Sequence, residues 1–286
     1  RVVDGTTRLF GRGTSDMKGG IAAFLGALRL LERRGVSLAD IAVCITCEEE
    51  TGVRGARDLF ASGAVDFSAA RTVIIGEPTD LRVGVGENGN LWLECVALGK
   101  AAHGSNPALG INAIDELIGF LAALRTAVAA AHPGLTSTNL GTLNGGEAVN
   151  VVPHRAVARV DFRVRPGLDV NALLATVNET LTTFVRTSPA RITVDVLAKN
   201  PAFRCAETNT LCRRLVAALE KRAGGDNVCV TLPYTTDGTV FKENLPDADI
   251  IVFGPGDISA MHAYNAFVDL DKLPAATAVL ADVLAP

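Results

Sequence analysis

Short apolar runs alternate with amphipathic stretches through the first third of the chain. The pattern predicts a helix over residues 21–34, ended by Gly35, and a short buried strand over 41–46. A second helix over 53–62 and a second strand over 72–75 follow. Strands that alternate with helices in this way favour a mainly parallel sheet with helices on both faces.

The middle of the chain has a different pattern. Residues 156–165 alternate apolar and polar side chains, which is typical of an antiparallel strand with one face in solvent. Further elements are predicted around it, and together they follow the order β-α-β-β-α-β of a ferredoxin-like domain. The strands cover 91–98, 136–143, 156–165 and 191–196, and the helices cover 112–130 and 170–185.

After residue 198 the first pattern resumes. A helix over 208–223, strands over 228–232 and 249–253, and a closing helix over 274–284 are predicted. The sequence therefore indicates an α/β domain built from residues 1–85 and 200–286. Residues 86–199 form an α+β domain inserted into it.

Composition narrows the class of protein. Hydrophobic residues make up 48% of the 286-residue chain and charged residues 20%, so a large core can form and global disorder is excluded. The net charge is −4 and no basic patch interleaves with aromatic residues, which argues against nucleic acid as a partner. No run reaches the roughly 18 apolar residues that a membrane span needs. The six cysteines form no dense framework, and we expect Cys44 and Cys47 to be buried, reduced thiols, as suits the cytoplasm.

Acidic residues and one histidine follow the predicted strands of the α/β domain. Glu49 and Glu50 follow the strand 41–46, Glu77 follows the next strand, and His262 follows the strand 249–253. Asp16 lies in a glycine-rich loop before the first helix. Because ligands bind outside the carboxyl ends of strands in open α/β sheets, these groups are expected at one edge. Carboxylates gathered there repel one another unless a cation holds them, and carboxylate with imidazole suits zinc or cobalt.

Each signal alone has a simpler interpretation. An acidic triplet at 48–50 is usually a solvated loop, and a single histidine is more often a surface or core residue than a ligand. The glycines near Asp16 could cradle a phosphate, but neither GxGxxG nor GxxxxGK[ST] is present. The signals carry weight only together and in this order.

Six motifs occur in one order along the chain. They are GRGTSDMKGG at 11–20, EETG at 49–52, GEPT at 76–79, HGSNPALGINAI at 103–114, NGGEAVNVVP at 144–153, and FGPG at 253–256 before His262. In these motifs the chain resembles the di-zinc hydrolase family of acetylornithine deacetylase, succinyl-diaminopimelate desuccinylase, aminoacylase and glutamate carboxypeptidase. The resemblance runs from end to end of the chain. It implies a catalytic domain with an inserted lid and dimerisation domain.

The resemblance also implies a metal site. Asp16 would bridge two divalent ions, with zinc expected and cobalt as the alternative. Glu50 and His262 would complete the coordination of one ion, and Glu77 would bind the other. Glu49 would be the general base that takes a proton from the attacking water and passes it to the leaving amine.

Three residues of the inserted domain gain roles from the same resemblance. His103 would stabilise the oxyanion and would be supplied by the partner subunit of a homodimer. Asn150 and Arg163 match positions that hold the free carboxylate of the substrate. An arginine suits this task because its planar fork pairs with a carboxylate through two hydrogen bonds. For Arg163 the alternative is an ordinary outward charge on a half-exposed strand.

The chain departs from the family's pattern in two places. The family has a metal-binding histidine in a His-x-Asp motif upstream of the glycine-rich loop, and no histidine precedes Asp16 here. We therefore expect that an N-terminal segment of the catalytic domain is missing from this sequence. The family also has an acidic residue after the asparagine that matches Asn265, where this chain has Ala266. We expect that this change weakens activity without abolishing it.

The expected function is metal-dependent hydrolysis of an amide bond. The substrate would be an N-acyl amino acid, or a peptide cleaved at its C-terminal bond. One rival is a catalytically impaired member that binds amino acids or serves as a dimeric scaffold, because the first metal-ligand histidine is absent. The other is an aminopeptidase with related ligands, against which the inserted domain and the pair Asn150 and Arg163 argue.

Overall fold

The chain folds into two compact units in a computed structural model, which describes residues 1–135, 137–223 (without the side chain of 223) and 229–285. Unit 1 comprises residues 1–87 and 204–286, and unit 2 comprises residues 88–203. None of the helices in the described ranges combines the length and the apolar character that a membrane crossing requires.

The described residues contain twelve strands and seven helices, together with a few short helical turns. The strands are β1 (Val2–Val3), β2 (Thr6–Phe10), β3 (Thr72–Ile75), β4 (Val83–Glu87), β5 (Gly89–Leu98), β6 (Ser137–Gly145), β7 (Arg155–Val164), β8 (Arg191–Asn200), β9 (Phe203–Arg204), β10 (Cys229–Leu232), β11 (Asp249–Val252) and β12 (Phe267–Asp269). The helices are α1 (Gly19–Arg33), α2 (Arg54–Ser62), α3 (Ala113–Ala131), α4 (Val170–Phe184), α5 (Thr210–Ala223), α6 (Gly238–Asn244) and α7 (Lys272–Leu284).

Unit 1 is built on a mixed sheet with the order β10-β4-β11-β3. The pairs β10–β4 and β11–β3 are parallel, whereas β11 and β4 are antiparallel. Helices α1, α5 and α7 bury their apolar faces in one core with β4 and β11, in which Leu31, Leu215 and Leu280 are fully buried. A separate antiparallel sheet joins β1, β2 and β12.

Unit 2 has the ferredoxin-like order that the sequence predicts. Its antiparallel sheet runs β6-β7-β5-β8, and one face packs against α3 and α4. The first turn of α3 begins where the Asn112 side chain accepts hydrogen bonds from the amides of Ile114 and Asp115, and Asp169 caps α4 in the same way. The predicted class, an α/β domain carrying an inserted ferredoxin-like domain, is confirmed.

The predicted buried strand over 41–46 is wrong. This segment pairs with no strand among the described residues, and Val43 and Ile45 are 44% and 62% exposed. Because a β-branched apolar run is stable as a strand only where a neighbour completes its hydrogen bonds, composition alone misled here. The expectation of buried thiols also fails at Cys47, which is exposed.

Several short elements were not predicted from the sequence pattern. Strand β4 carries two glycines, and α6 and β12 are too short to show a period, so the sequence gives no clear signal for them. Two predicted strands began at Thr136 and Val228, which lie outside the described residues. The predicted domain limits of 86 and 199 stay predictions.

Candidate metal centre

Asp16 lies in an irregular turn over Thr14–Lys18, directly before α1. Its peptide bond to Met17 is cis, and its side chain is 19% exposed. The neighbouring Ser15 hydroxyl donates a hydrogen bond of 2.8 Å to the carbonyl oxygen of Asp257. This bond joins the turn to the loop that carries His262.

Close backbone contacts explain the glycines around the acidic residues. A Cβ atom at Gly20 would lie 1.9 Å from the carbonyl oxygen of Gly76, and one at Gly254 would lie 2.4 Å from that of Glu77. Any side chain at these positions would therefore push the backbone of Glu77 away from α1 and from the loop 253–256. Glycine at these positions allows the loops to approach each other, so a phosphate-binding role is not needed to explain it.

Glu49 and Glu50 lie in a single helical turn, Glu49–Thr51. The backbone enters this turn through Glu48, which has a left-handed φ of 60°, and leaves it through Gly52 at 105°. His262 also has a left-handed φ of 55°. Non-glycine residues rarely adopt this conformation, and such residues concentrate at functional sites.

Three of the predicted ligands converge. Asp16, Glu50 and His262 each place one ligand atom within 4.8 Å of the others. The His262 Nε2 atom lies 3.5 Å from Asp16 Oδ2 and 3.5 Å from Glu50 Oε2. Burial raises the pKa of Glu50, Asp16 raises it further, and the charges of His262 and Arg12 lower it. One imidazole and two carboxylates on this scale suit a divalent ion such as zinc.

Glu77 adds a buried carboxyl group beside Asp16. It follows β3, is 5% exposed, and its Oε2 atom has no hydrogen-bond partner among the described residues. Burial raises its pKa well above the ordinary value, as do the negative charges of Asp16 and Glu49 and a hydrogen bond with Asp16. A buried acid that has an unpaired oxygen and lies next to a second carboxylate fits a cation site. A cation would bind the unpaired oxygen and would offset the repulsion between the two carboxylates.

His103 lies on the exposed surface of unit 2. Its Nδ1 atom is 3.2 Å from the amide of Ser105, which donates to it, and 2.7 Å from the Ser105 hydroxyl. Because an amide can only donate here, Nδ1 is the acceptor and the neutral ring carries its proton on Nε2. The Nε2–H group is therefore a hydrogen-bond donor.

The other two predicted substrate residues also lie in unit 2. The Asn150 carbonyl accepts a bond of 2.7 Å from the Gly104 amide, so the loops of His103 and Asn150 adjoin. Arg163 lies on β7, where its Nε atom donates to Asp161 Oδ2 at 2.9 Å. This carboxylate partner of Arg163 was not predicted from the sequence.

Two acidic residues near the cluster were missed in the sequence. Asp237 accepts a hydrogen bond of 2.5 Å from the Thr46 hydroxyl, and its charge contributes to the raised pKa of Glu77. Glu87 is fully buried at the end of β4 and accepts bonds from the amide and the hydroxyl of Thr236. A glutamate that ends an otherwise apolar and glycine-rich strand was the available signal for Glu87.

Comparisons with known proteins identify the family of the chain. Residues 1–285 match the family model described as peptidase family M20/M25/M40. Acetylornithine deacetylase of Photorhabdus laumondii subsp. laumondii is 32% identical over 275 residues, which cover 92% of this chain and 68% of that protein.

Solved structures share the fold. A tripeptidase from Staphylococcus aureus has a TM-score of 0.77 at 19% identity, covering 99% of this chain and 74% of that one. An aminopeptidase from Bacillus cereus has a TM-score of 0.69 at 20% identity with the same coverage.

The family match covers nearly the whole chain, and the deacetylase relative exceeds 30% identity over most of both proteins. The predicted resemblance is therefore confirmed, and a metal-dependent hydrolase is favoured over a scaffold. The chain belongs to peptidase family M20/M25/M40, a family of metal-dependent enzymes, and is a hydrolase of amide or peptide bonds.

Proposed function

We propose that the protein removes the acyl group of an N-acyl amino acid, or cleaves a C-terminal peptide bond, by activating water at the cluster of Asp16, Glu50 and His262. The convergence of these three side chains carries the proposal. They are far apart in sequence, and two carboxylates held this close repel each other unless a positive charge lies between them.

We assign two divalent ions to this site, zinc first and cobalt as the alternative. Asp16 would bridge them, Glu50 and His262 would hold one, and Glu77 would hold the other. His262 is the single histidine of unit 1, so the second ion has only carboxylates among these residues. When bound, the ions would polarise the scissile carbonyl, acidify water and offset the negative charge that develops.

Glu49 is assigned as the general base. It adjoins the ligand Glu50 in the chain, and its charge raises the pKa of the buried Glu77, which supports a place for Glu49 near the proposed ligands. Glu49 takes a proton from the attacking water and delivers it to the nitrogen of the leaving amine. This transfer is needed because an amide anion is too basic to leave unprotonated.

His103 is assigned to the oxyanion. The hydrogen bond from the Ser105 amide holds its Nδ1 as an acceptor, which leaves Nε2–H free to donate to a developing negative charge. We propose that His103 acts on the site of the partner subunit in a homodimer formed through unit 2. Asn150 and Arg163 would bind the carboxylate of the substrate.

The substrate class rests on Arg163 and on the relatives. A guanidinium suits a free carboxylate, whereas recognition of a free amine requires acidic groups. The similarity to acetylornithine deacetylase makes N-acetylornithine the first substrate to test, together with N-acetyl, N-succinyl and N-carbamoyl amino acids and dipeptides. All six cysteines are free, which suits the reducing cytoplasm in which we place the protein.

The base is tested by Glu49→Gln. The variant keeps the shape of the side chain but cannot accept the proton, so kcat should fall by a factor of about 10²–10⁴. Metal content, measured by elemental analysis, should stay close to that of the unmodified protein. Glu48→Gln is the matched control, because Glu48 is exposed and pairs with Arg54 at 2.9 Å. Full turnover by Glu49→Gln would overturn the assignment.

The metal centre is tested by His262→Ala. Zinc is titrated into the metal-free protein and the binding is measured by calorimetry. The unmodified protein should show two binding events, and the variant should lose one of them or bind it much more weakly. His154→Ala in unit 2 is the control and should leave both events unchanged. Equal zinc binding by the two variants would remove His262 from the site.

A further inference from the structure

Asp161 and Arg163 form an ion pair within one strand. They are two residues apart on β7 and therefore lie on the same face of the sheet. The intervening Phe162 and the flanking Val160 are buried in the core on the opposite face, which fixes the register of the strand. The two charged side chains are each 25% exposed, and the Arg163 Nε to Asp161 Oδ2 distance is 2.9 Å.

This contact determines which side of the guanidinium is left to bind another group. A guanidinium can bind a carboxylate side-on, through Nε and one terminal nitrogen, or end-on, through both terminal nitrogens. Since Nε donates to Asp161, the side-on mode is blocked and the two terminal nitrogens remain for an end-on pair. The side chain also loses rotational freedom before any ligand arrives.

The second carboxylate oxygen of Asp161, which does not contact Arg163, is buried and unsatisfied within the described part of the chain. Asp161 Oδ1 is buried and has no hydrogen-bond partner among the described residues, and its Cα position lies opposite Trp92 on β5. An unsatisfied buried carboxylate oxygen is unfavourable, so this residue is poorly explained as a solubilising surface charge.

We propose that Asp161 is a positioning residue, which orients Arg163 for end-on binding of the substrate's carboxylate. The inference rests on the proposed function, in which Arg163 binds that carboxylate. The alternative is a purely electrostatic role, in which the negative charge of Asp161 neutralises Arg163 and weakens its attraction for the carboxylate of the substrate. If Asp161 only neutralised Arg163, its removal would tighten substrate binding or leave it unchanged.

The two accounts predict opposite signs for Asp161→Asn. Loss of orientation should raise KM for an N-acetyl amino acid about tenfold, which corresponds to about 1.4 kcal/mol, with little change in kcat. With the primary amide of the same substrate, which offers no carboxylate, the variant and the unmodified protein should have equal KM. A KM that falls or stays constant with the acid would overturn the proposal, and so would an equal rise with the amide.

A nearby ion pair supplies the control. Arg159 on the same strand donates to Glu94 across the sheet at 2.9 Å, but its side chain is 60% exposed. Glu94→Gln removes a carboxylate from a pair of the same kind and should leave KM unchanged. In an Arg163→Gln background, Asp161→Asn should have no further effect on KM. An additive effect in that background would contradict the proposal.

Two further measurements keep the outcomes separate. If Asp161→Asn lowers the melting temperature too far for kinetics, Asp161→Glu retains the charge and should raise KM for the acid but not for the amide. An unchanged KM for the acid with Asp161→Glu, or an equal rise for the acid and the amide, would overturn the proposal. If the unmodified protein turns over no N-acyl amino acid, the proposed function fails first, independently of Asp161.

Discussion

At the residue scale, the buried acids are the unusual feature of unit 1. Burial raises the pKa of Glu87 to about 8, while the bonds from Thr236 lower it and the charge of Glu49 raises it. This residue lies outside the set of proposed ligands. The charge of Glu49 nevertheless couples its protonation to the proposed site.

Glu87 makes the stability of the protein depend on pH. Its pKa in the folded state exceeds the ordinary value of 4.5, so the folded protein binds more protons than the unfolded chain between these values. The free energy of unfolding should fall as pH rises from about 4.5 to about 8, by at most about 1.4 kcal/mol per pH unit. In urea unfolding across this pH range, the slope should be shallower for Glu87→Gln than for the unmodified protein, because the raised pKa values of Glu50 and Glu77 contribute to both profiles. Parallel profiles would contradict the shift.

At the element scale, α1 and β3 approach each other through glycine. The Cβ atom of an alanine at position 20 would overlap the backbone of Gly76, next to the proposed ligand Glu77. The site thus depends on the absence of side chains where these two elements meet.

The substitution Gly20→Ala tests that contact. The clash is with backbone, which cannot rotate away, so we expect a loss of about 1–3 kcal/mol in the free energy of unfolding, measured by urea denaturation. Gly26→Ala is the control in the same helix. There the new Cβ would lie 2.9 Å from the Thr277 side chain, which can shift. Alanine also has a helix propensity that is more favourable than that of glycine by about 1 kcal/mol. Equal losses at both positions would argue against the contact.

At the scale of the whole molecule, Glu49 and His103 belong to different units. The proposed homodimer would combine the base of one subunit with the histidine of the other. In such a dimer, two variants that each lack one of these residues can form an intact site together. A site completed within one chain cannot be restored in this way.

Mixing two inactive variants tests the shared site. Glu49→Gln and His103→Ala should each be inactive as homodimers. After unfolding and refolding together, hybrids should restore roughly a quarter of the activity, because half of the dimers are hybrids with one intact site. Refolding each variant alone is the control. If the mixture stays inactive while light scattering shows a dimer, His103 acts within its own chain.

Much of the fold could be read from periodicity. The elements of unit 2 follow the predicted order because its helices are long and its strands have one face in the core and one in solvent. The segment 41–46 shows the limit of such patterns. Its apolar residues look like a buried strand, yet whether a strand forms depends on a neighbour that local sequence does not reveal.

The sequence alone determined which residues could bind a metal, because motif order and residue chemistry are properties of the chain. It could not determine the surroundings of each group. Only the tertiary structure brought Asp16, Glu50 and His262 within 4.8 Å, buried Glu77 and Glu87, and placed Asp161 beside Arg163. Distance and burial arise from packing between segments remote in sequence, and they decide what each side chain can do.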